Sequence, residues 1–482
     1  MIEKIKMNPY LVEQEKYLSE RSRHWNILGE KNKSSLGSYY RSKISGIYAH
    51  LIPANSRILE LGVGDGTLLA SLQPSLGVGV DFSKAQLSRG AAQNPQIIFI
   101  EGNANSFKLL EDKFDYIIIS DLVNDAWDVQ EILSHVNKLC DPSTRIIINF
   151  YNHFWNIPLF VARKLGFASP MMNQNWLTRQ DMENLLEISS FQCMSVWGEI
   201  IFPLNIPIIS NFINRYFAKL PFINKLCLAN FIVSRPIMGR GEGLPSVSII
   251  VPARNEEGNI SEIVERVPKL GSQTEIIFVE GNSTDNTYEA IEKIISLGKQ
   301  SNLKLIKQLG KGKGDAVRAG FDIAHGDILM ILDADITVPP EDLPKFYALL
   351  ASNKAEFVNG VRLVYPVEDK AMQFFNLIGN KFFSIAFSWL LNQPIRDTLC
   401  GTKVLWRHDY QRIAANRKIF GDFDPFGDFD LLFGAARLNL KILEVPIRYR
   451  ARRYGETNIS RWRHGWLLLK MVAFAARRIK FI

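Results

Sequence analysis

The sequence predicts an α/β chain of two successive parallel-sheet domains with amphipathic helices at the C-terminal end. Three observations carry this. The chain has 482 residues, against a prior of about 150 residues per domain. Two stretches, Ser56–Leu72 (SRILELGVGDGTLLASL) and Pro245–Val267 (PSVSIIVPARNEEGNISEIVERV), each read as an apolar strand, a Gly-rich or polar loop and an amphipathic helix. That alternation is the pattern of a parallel sheet covered by helices. Between them, Arg235–Ser246 (RPIMGRGEGLPS) concentrates Gly and Pro, which marks a linker. The expected division is 1–238, a linker at 239–246, a second domain at 247–460 and a basic amphipathic helix at 461–482.

Composition narrows the class. Hydrophobic content of 47% and charged content of 22% suit a globular chain and exclude a disordered or fibrous one. Cys140, Cys193, Cys227 and Cys400 lie far apart with no CxxC or zinc spacing, so four reduced core thiols in a reducing compartment are expected. The first twenty residues lack the apolar core of a secretory signal. The net charge of +8 is concentrated: from Ile447 onward there are ten Lys/Arg against Glu456 alone, leaving about −1 (47 basic, 48 acidic) for the rest. A local basic patch implies an anionic partner: nucleic acid, phospholipid or a phosphorylated substrate. No RNA or DNA motif accompanies it, so nucleic acid is not expected.

In the first half, ELGVGDG places Glu60, Gly62, Gly64 and Gly66 directly after a strand, where glycines let a ligand approach the backbone. A dinucleotide loop would carry its third Gly at position 67, which is Thr. The GxGxG spacing resembles motif I of class I S-adenosylmethionine (SAM)-dependent methyltransferases, a Rossmann-like fold. Asp81 ends the next strand (VGVDF) and suits a ribose diol, and EGNANSF follows a third strand. FDYIIISDLVND resembles the family's fourth strand, with Ser120 and Asp121 at its carboxyl end, and TRIIINFYN its fifth. The resemblance spans roughly residues 20–238. It implies SAM held by Glu60, Gly62, Gly64, Gly66, Asp81, Asn103, Ala104 and Ser120, with Asn103 and Ala104 on the adenine. His24, His153 and Asp121 are candidate bases. An activated sulfonium needs alignment more than a base, so the acceptor stays unspecified. Residues 153–230, rich in Phe, Trp, Ile and Pro, read as a lid or acceptor-side insertion, or as core packing. A half that binds SAM or serves as a scaffold without transferring methyl is the alternative.

In the second half, the run ILMILDADITVPPEDL (Ile328–Leu343) ends a strand in Asp333 and Asp335. Residues i and i+2 of a strand share a side, so both carboxylates reach one site beyond the sheet's carboxyl edge. Oxygen donors suit Mg²⁺ or Mn²⁺ carrying a diphosphate. SIIVPARNEEGNI adds Pro252, Ala253, Arg254, Asn255 and Glu256 at a strand end, and EIIFVEGNSTDNT adds Glu280, Ser283 and Asp285. Together these resemble a family 2, GT-A fold glycosyltransferase of inverting type. Within that family they are most similar to the dolichol-phosphate mannose synthase and polyprenyl-phosphate glycosyltransferase group. The resemblance implies a UDP- or GDP-linked sugar donor, with Pro252–Glu256 and Glu280 on the nucleotide and Asp333 and Asp335 on metal and diphosphate. Glu280-Gly281 stands where many relatives carry Asp-Asp, which leaves the base open.

The match continues through residue 465. NGVRLVYP resembles the family's G-S-R strand and points to Arg362; RDTLCGTKVLWR resembles D-x-T-S-G-F-K and points to Asp397 and Lys403. EVPIRYRARRYGETNI resembles E-V-P-I…R-x-x-G-x-S-K: Arg452, Gly455 and Thr457 match, and Asn458 replaces the usual Lys. A lipid monophosphate acceptor is already anionic and needs positioning by charge-assisted hydrogen bonds, for which Arg362, Lys403 and Arg452 are the candidates. A sugar hydroxyl acceptor needs a carboxylate base instead, and FDPFGDFDLLF offers Asp428 and Asp430. These two also suit the positive end of a helix dipole. Asp335, Asp397, Asp428 and Asp430 are thus the candidate catalytic carboxylates.

In Ala371–Asn392 the residues Asn376, Asn380, Ser384, Ser388 and Asn392 recur every four, a narrow polar stripe beside a wide aromatic-aliphatic face. Interrupting Asn and Lys argue against a membrane span. GWLLLKMVAFAARRIKFI has a short apolar part and a basic end. Both helices suit in-plane binding at an anionic cytoplasmic leaflet. A buried core or dimer face is the alternative, and a homo-oligomer stays open. The expectation is a bifunctional cytoplasmic enzyme, peripheral at the inner face of the cytoplasmic membrane. It would transfer sugar to a polyprenyl phosphate or lipid-linked glycan and methyl to an unknown acceptor, in cell-surface glycan or glycolipid synthesis.

Overall fold

Strands that are almost unbroken runs of Val, Ile and Leu assemble into two separate seven-stranded sheets. The computed structural model describes residues 9–30, 37–107, 112–168, 171–239, 243–298, 302–362, 364–365, 374–417, 429–450, 452, 454 and 461–481. Contacts divide the chain into two units at Met238/Gly239.

In the first unit the strands are β1 (Arg57–Leu61), β2 (Leu76–Asp81), β3 (Ile98–Glu101), β4 (Tyr116–Ser120), β5 (Arg145–Tyr151), β6 (Phe191–Glu199) and β7 (Ala229–Pro236). They lie in the order β3-β2-β1-β4-β5-β7-β6. β1 to β5 are parallel, and β7 runs antiparallel to both β5 and β6. Parallel strands are covered on both faces, and Ile117, Ile118, Ile119, Ile146, Ile147 and Ile148 are all fully buried. The strand order reverses between β1 and β4, the crevice where open α/β sheets bind ligands. β1, β2, β4, β5 and β6 end at one edge, where β7 begins. The helix Asn156–Lys164 and the segment joining β6 to β7 leave from that edge.

In the second unit the strands are β8 (Val247–Ala253), β9 (Thr274–Glu280), β10 (Leu303–Lys307), β11 (Ile328–Ile331), β12 (Phe357–Val361), β13 (Lys403–Trp406) and β14 (Ile442–Pro446). The order is β10-β9-β8-β11-β13-β12-β14. β8 to β11 are parallel, β13 is inserted antiparallel between β11 and β12, and β14 pairs parallel with β12. Alternate residues feed opposite faces. Ile250, Phe321, Phe387 and Phe433 fill one core, and Val251, Phe278, Phe346 and Trp406 fill the other. Each such side chain contributes about 1.5–3 kcal/mol by leaving water.

The helix Phe374–Leu391 takes up, in part, the buried alternative of its sequence reading. Its polar stripe turns inward: Ser384 Oγ and Ser388 Oγ donate to Ile395 O at 2.8 and 2.9 Å. Part of its apolar face, Phe383, Phe387 and Leu390, is core, while Phe382 and Ile385 are exposed. The C-terminal helix runs Arg461–Ala475 and widens into a π-helical turn, Ala476–Lys480. Among the described residues no helix is long and apolar enough to cross a membrane. All four cysteines are free thiols.

Candidate active sites

In the first unit Gly62, Gly64 and Gly66 take φ of +74°, +55° and +71°, a region only glycine enters without strain. The Asp81 carboxylate pins this loop to the end of β2 by accepting from Gly64 N (2.9 Å) and Ser83 N (2.8 Å). Gly62, Gly64, Asp81, Asn103, Ala104 and Ser120 line one cleft. The other two predicted residues do not line it. Gly66 packs the loop on β3, since a Cβ there would come within 2.6 Å of the Phe99 ring. Glu60 is buried, and its Oε2 has no hydrogen-bond partner among the described residues. Burial, with Asp81 adding to it, pushes its carboxyl well above the usual range.

Sequence reasoning missed the other wall of this cleft. Leu18 and Trp25, from the helix Pro9–Glu30, line it. Asn26 of that helix ties it to the glycine-loop side, its Oδ1 accepting from Ser83 Oγ (2.9 Å) and Ala85 N (3.1 Å). Asp121 also lines the cleft, on a backbone with φ +55°. Its Oδ1 accepts from Tyr40 Oη (2.9 Å) and Asn149 Nδ2 (2.6 Å), and Tyr48 Oη donates to Asn149 Oδ1 (2.8 Å). Burial raises Asp121 to about 7; the Tyr40 hydrogen bond opposes the shift and nearby Asp125 adds to it. His24 and His153 lie outside the cleft lining, in ring contact with Trp25 and Phe154. A glycine cradle, a carboxylate at a strand end and the Asp121 carboxyl in the cleft fit a nucleoside with a diol and a cationic tail, as in SAM.

In the second unit the acidic pair sits beyond β11, and each carboxylate meets a cation. Lys313 Nζ lies 2.5 Å from Asp333 Oδ1. Arg452 Nη2 donates to Asp335 Oδ2 at 2.8 Å and lies 3.6 Å from Glu256 Oε1. Asp335 Oδ1 accepts from Thr337 Oγ1 at 2.8 Å. Burial alone would raise Asp335, but the Arg452 and Thr337 hydrogen bonds outweigh it and hold the carboxyl below its usual range. Glu256 goes the other way: burial raises it to about 7, although Arg452 and Asn259 oppose the shift.

The nucleotide-side residues form one turn system. Asn255, at φ +58°, donates its N–H to Ser283 Oγ (3.1 Å), and its Oδ1 accepts from Thr284 N (2.8 Å). Ser283 N donates to Glu280 Oε1 at 2.5 Å. Gly281 N donates to Ala253 O (2.9 Å), which fixes the ends of β8 and β9 together beside Pro252 and the exposed Arg254. Asp285 accepts from Glu257 N at 3.3 Å.

The remaining predicted residues are placed apart from the acidic pair's own contacts. Arg362 and Asp397 hold each other: Arg362 Nε and Nη2 reach the two carboxylate oxygens at 2.7 and 2.9 Å. Burial would raise Asp397, but Arg362 outweighs it and holds the carboxyl below the usual range. Lys403 is fully buried in β13, with Nζ 2.5 Å from Cys400 O. Asp430 pairs with Arg417 at 3.2 Å. Asp428, Gly455, Thr457 and Asn458 lie outside the described residues.

Two further residues bear on the site. Lys313 begins the helix Lys313–Asp322, and Gly401 lies within RDTLCGTKVLWR. A Cβ on Gly401 would collide with both Asp333 Oδ2 and Lys313 Nζ, so this glycine keeps the backbone close to the acidic pair. Among the described residues no group of three His, Cys, Asp or Glu could by itself hold a metal. Two carboxylates of oxygen donors nevertheless suit Mg²⁺ or Mn²⁺ whose remaining ligands are diphosphate oxygens.

Residues 58–143 match the methyltransferase domain family model, and residues 248–413 match the glycosyl transferase family 2 model. A low-salt glycan biosynthesis hexosyltransferase of Haloferax volcanii is 26% identical over 226 residues, which is 46% of this chain and 52% of that protein. An undecaprenyl-phosphate 4-deoxy-4-formamido-L-arabinose transferase of Proteus mirabilis is 32% identical over 115 residues, 23% of this chain and 35% of that protein. The chain thus spans about half the length, or less, of these curated relatives. Among solved structures, a SAM-dependent methyltransferase of Thermotoga maritima aligns with 46% of this chain and 96% of its own (14% identity, TM-score 0.32). A glucosyl-3-phosphoglycerate synthase of Mycobacterium tuberculosis, in complex with Mn²⁺, UDP and glucosyl-3-phosphoglycerate, aligns with 49% and 80% (20% identity, TM-score 0.36). The chain joins a methyltransferase domain to a family 2 glycosyltransferase domain.

Proposed function

We propose that the second unit transfers a sugar from a UDP- or GDP-linked donor to a polyprenyl phosphate or lipid-linked glycan. The first unit would transfer methyl from SAM to a separate acceptor. The observation that carries the first reading is the acidic pair flanked by Lys313 and Arg452 at 2.5 and 2.8 Å. Two carboxylates facing two cations are a site for a bridging polyanion: the carboxylates take a divalent metal, and the cations take phosphate oxygens. A metal bound there would stabilise charge on the departing nucleotide. Asp333 and Asp335 are its proposed ligands, and the Pro252–Glu256 and Glu280 turn the proposed nucleotide seat.

Arg452 is the acceptor-phosphate candidate best placed for the role, because it already bridges Asp335 and Glu256. Arg362 and Asp397, bound to each other, would position the strand ends around it. A hydroxyl acceptor needs a free carboxylate base; of the two candidates Asp430 is engaged by Arg417, and Asp428 lies outside the described residues. The curated relative named as an undecaprenyl-phosphate transferase supports the lipid-phosphate reading. This reading places the chain at the inner face of the cytoplasmic membrane, in cell-surface glycan assembly.

For methyl transfer the supporting feature is the cleft of Gly62, Gly64, Asp81, Asn103, Ala104 and Ser120. Calorimetric titration tests both seats. UDP or GDP should bind more tightly with Mn²⁺ than without it, and SAM should bind the wild type but not Asp81→Ala. Absence of nucleotide binding under both conditions would overturn the donor reading; absence of SAM binding would leave the first unit as a scaffold.

A further inference from the structure

One helix of the first unit is built inside out, and another buries no residue. In the helix Ile209–Tyr216 the buried residues are Ser210 and Asn214. Ser210 Oγ donates to Leu204 O (2.5 Å), and Asn214 Oδ1 accepts from Ile201 N and Phe202 N (3.0 and 2.9 Å). The residues on the opposite face, Ile209, Phe212 and Tyr216, are exposed, and Ile208 just ahead of them is 83% exposed. Phe222, in the following turn Pro221–Asn224, is 87% exposed. The helix Asn156–Lys164 has no buried residue at all, and Ile157 is 74% exposed with Phe160 and Val161 beside it. Spacing of three and four puts Ile157, Phe160 and Val161 on one stripe. These elements are neighbours, since Trp155 Nε1 donates to Leu226 O at 2.8 Å and Asn152 Nδ2 to Lys225 O at 2.8 Å.

Leaving this many large apolar side chains in water is unfavourable, and a contiguous exposed apolar face marks an interaction surface. Its charge selects the partner. No Asp or Glu occurs between Asp141 and Asp181, or between Glu199 and Glu242. The cations in these stretches include Lys164, Arg215 and Lys225, all exposed. Apolar stripes in stretches of sequence whose charged residues are all cations are the composition of helices that lie in the surface of an anionic bilayer.

We propose that the helix Asn156–Lys164 and the segment 204–226 dock the first unit onto an anionic lipid bilayer. Both leave the carboxyl edge of the sheet, the edge that carries the Gly62–Asp81–Ser120 cleft, so the docked cleft faces an acceptor borne by lipid. The docking itself does not depend on methyl transfer.

The test uses the full chain and vesicles of phosphatidylglycerol or phosphatidylcholine, with binding read by flotation. Binding is expected to phosphatidylglycerol vesicles and to be weaker by tenfold or more to phosphatidylcholine. Ile208→Glu and Phe222→Glu are each expected to weaken it by about tenfold or more, with circular dichroism and melting unchanged. Lys164→Glu with Lys225→Glu, a pair of changes at exposed positions, should weaken it similarly. An environment-sensitive fluorophore at position 222 should shift to the blue on vesicles. The proposal is overturned if the three variants bind like wild type, if the fluorophore on vesicle-bound protein still reports water, or if Phe222→Glu instead abolishes a concentration-dependent self-association. The last result would assign the face to a second copy of the chain.

Discussion

Arg452 closes the acidic pair of the second unit: one nitrogen, Nη2, lies 2.8 Å from Asp335 Oδ2 and 3.6 Å from Glu256 Oε1. A guanidinium that holds two carboxylates can exchange one of them for a phosphate without leaving its place. Arg452→Ala should therefore reduce kcat/KM for sugar transfer to a lipid phosphate by roughly 10- to 100-fold, the worth of one charge-assisted hydrogen bond. Asp430→Asn should change it by less than about threefold, because Asp430 answers to Arg417. The reverse ranking would move the acceptor to a hydroxyl.

Gly401 is expected to be intolerant of any side chain. A Cβ there would strike the Asp333–Lys313 pair, so Gly401→Ala should weaken metal-dependent nucleotide binding by about tenfold or more. Calorimetry against UDP and GDP checks this, and an unchanged melting curve separates it from misfolding. Lys313→Met should give a similar loss of affinity.

The Arg362–Asp397 pair should matter mainly for stability. Removing one partner of a buried ion pair costs about 3–5 kcal/mol, so Asp397→Asn should lower the thermal transition of the second unit markedly, and Asp397→Asn with Arg362→Met should recover part of it. Asp397 is held below its unfolded value. Its contribution is therefore present above about pH 4 and is lost as pH falls through the folded value. Scanning calorimetry between neutral and acid pH reads both effects.

Asp121 should give the first unit a pH signature of the opposite sign. Its carboxyl is raised to about 7, so from about pH 4 to 7 the folded chain binds more protons than the unfolded one. Stability from this group falls as pH rises through that window. A cationic ligand such as SAM prefers the ionised form, so its affinity should increase as pH rises through 7. Titrations at acid and alkaline ends of that range should differ several-fold in wild type and be flat in Asp121→Asn.

Much of both sites was legible in local sequence. The glycine loop and Asp81 could be read because GxGxG after an apolar run has few other uses, and Asp333 and Asp335 because two acids at a strand end demand a partner. Gly401 escaped because β13 is inserted antiparallel between β11 and β12, and nothing in RDTLCGTK announces that; Lys313 escaped because it begins the helix Lys313–Asp322, and only folding brings its Nζ to Asp333. The helix faces escaped for a different reason. Periodicity fixes which residues share a face, not which face turns inward. In Ile209–Tyr216 the polar stripe is the buried one, and in Phe374–Leu391 Ser384 and Ser388 turn inward beside buried Phe383 and Phe387, where backbone groups at Phe202 and Ile395 take their hydrogen bonds.

The most direct test of sugar transfer to a lipid phosphate is a label-transfer assay. Purified protein with Mn²⁺ or Mg²⁺ is offered labelled UDP- and GDP-sugars and a polyprenyl phosphate in detergent, and lipid-extracted label is counted. The account predicts metal-dependent label in the lipid from one donor, lost in Asp335→Asn. No lipid label from any donor, while calorimetry shows that a donor still binds, would contradict it and turn the search to glycan hydroxyl acceptors.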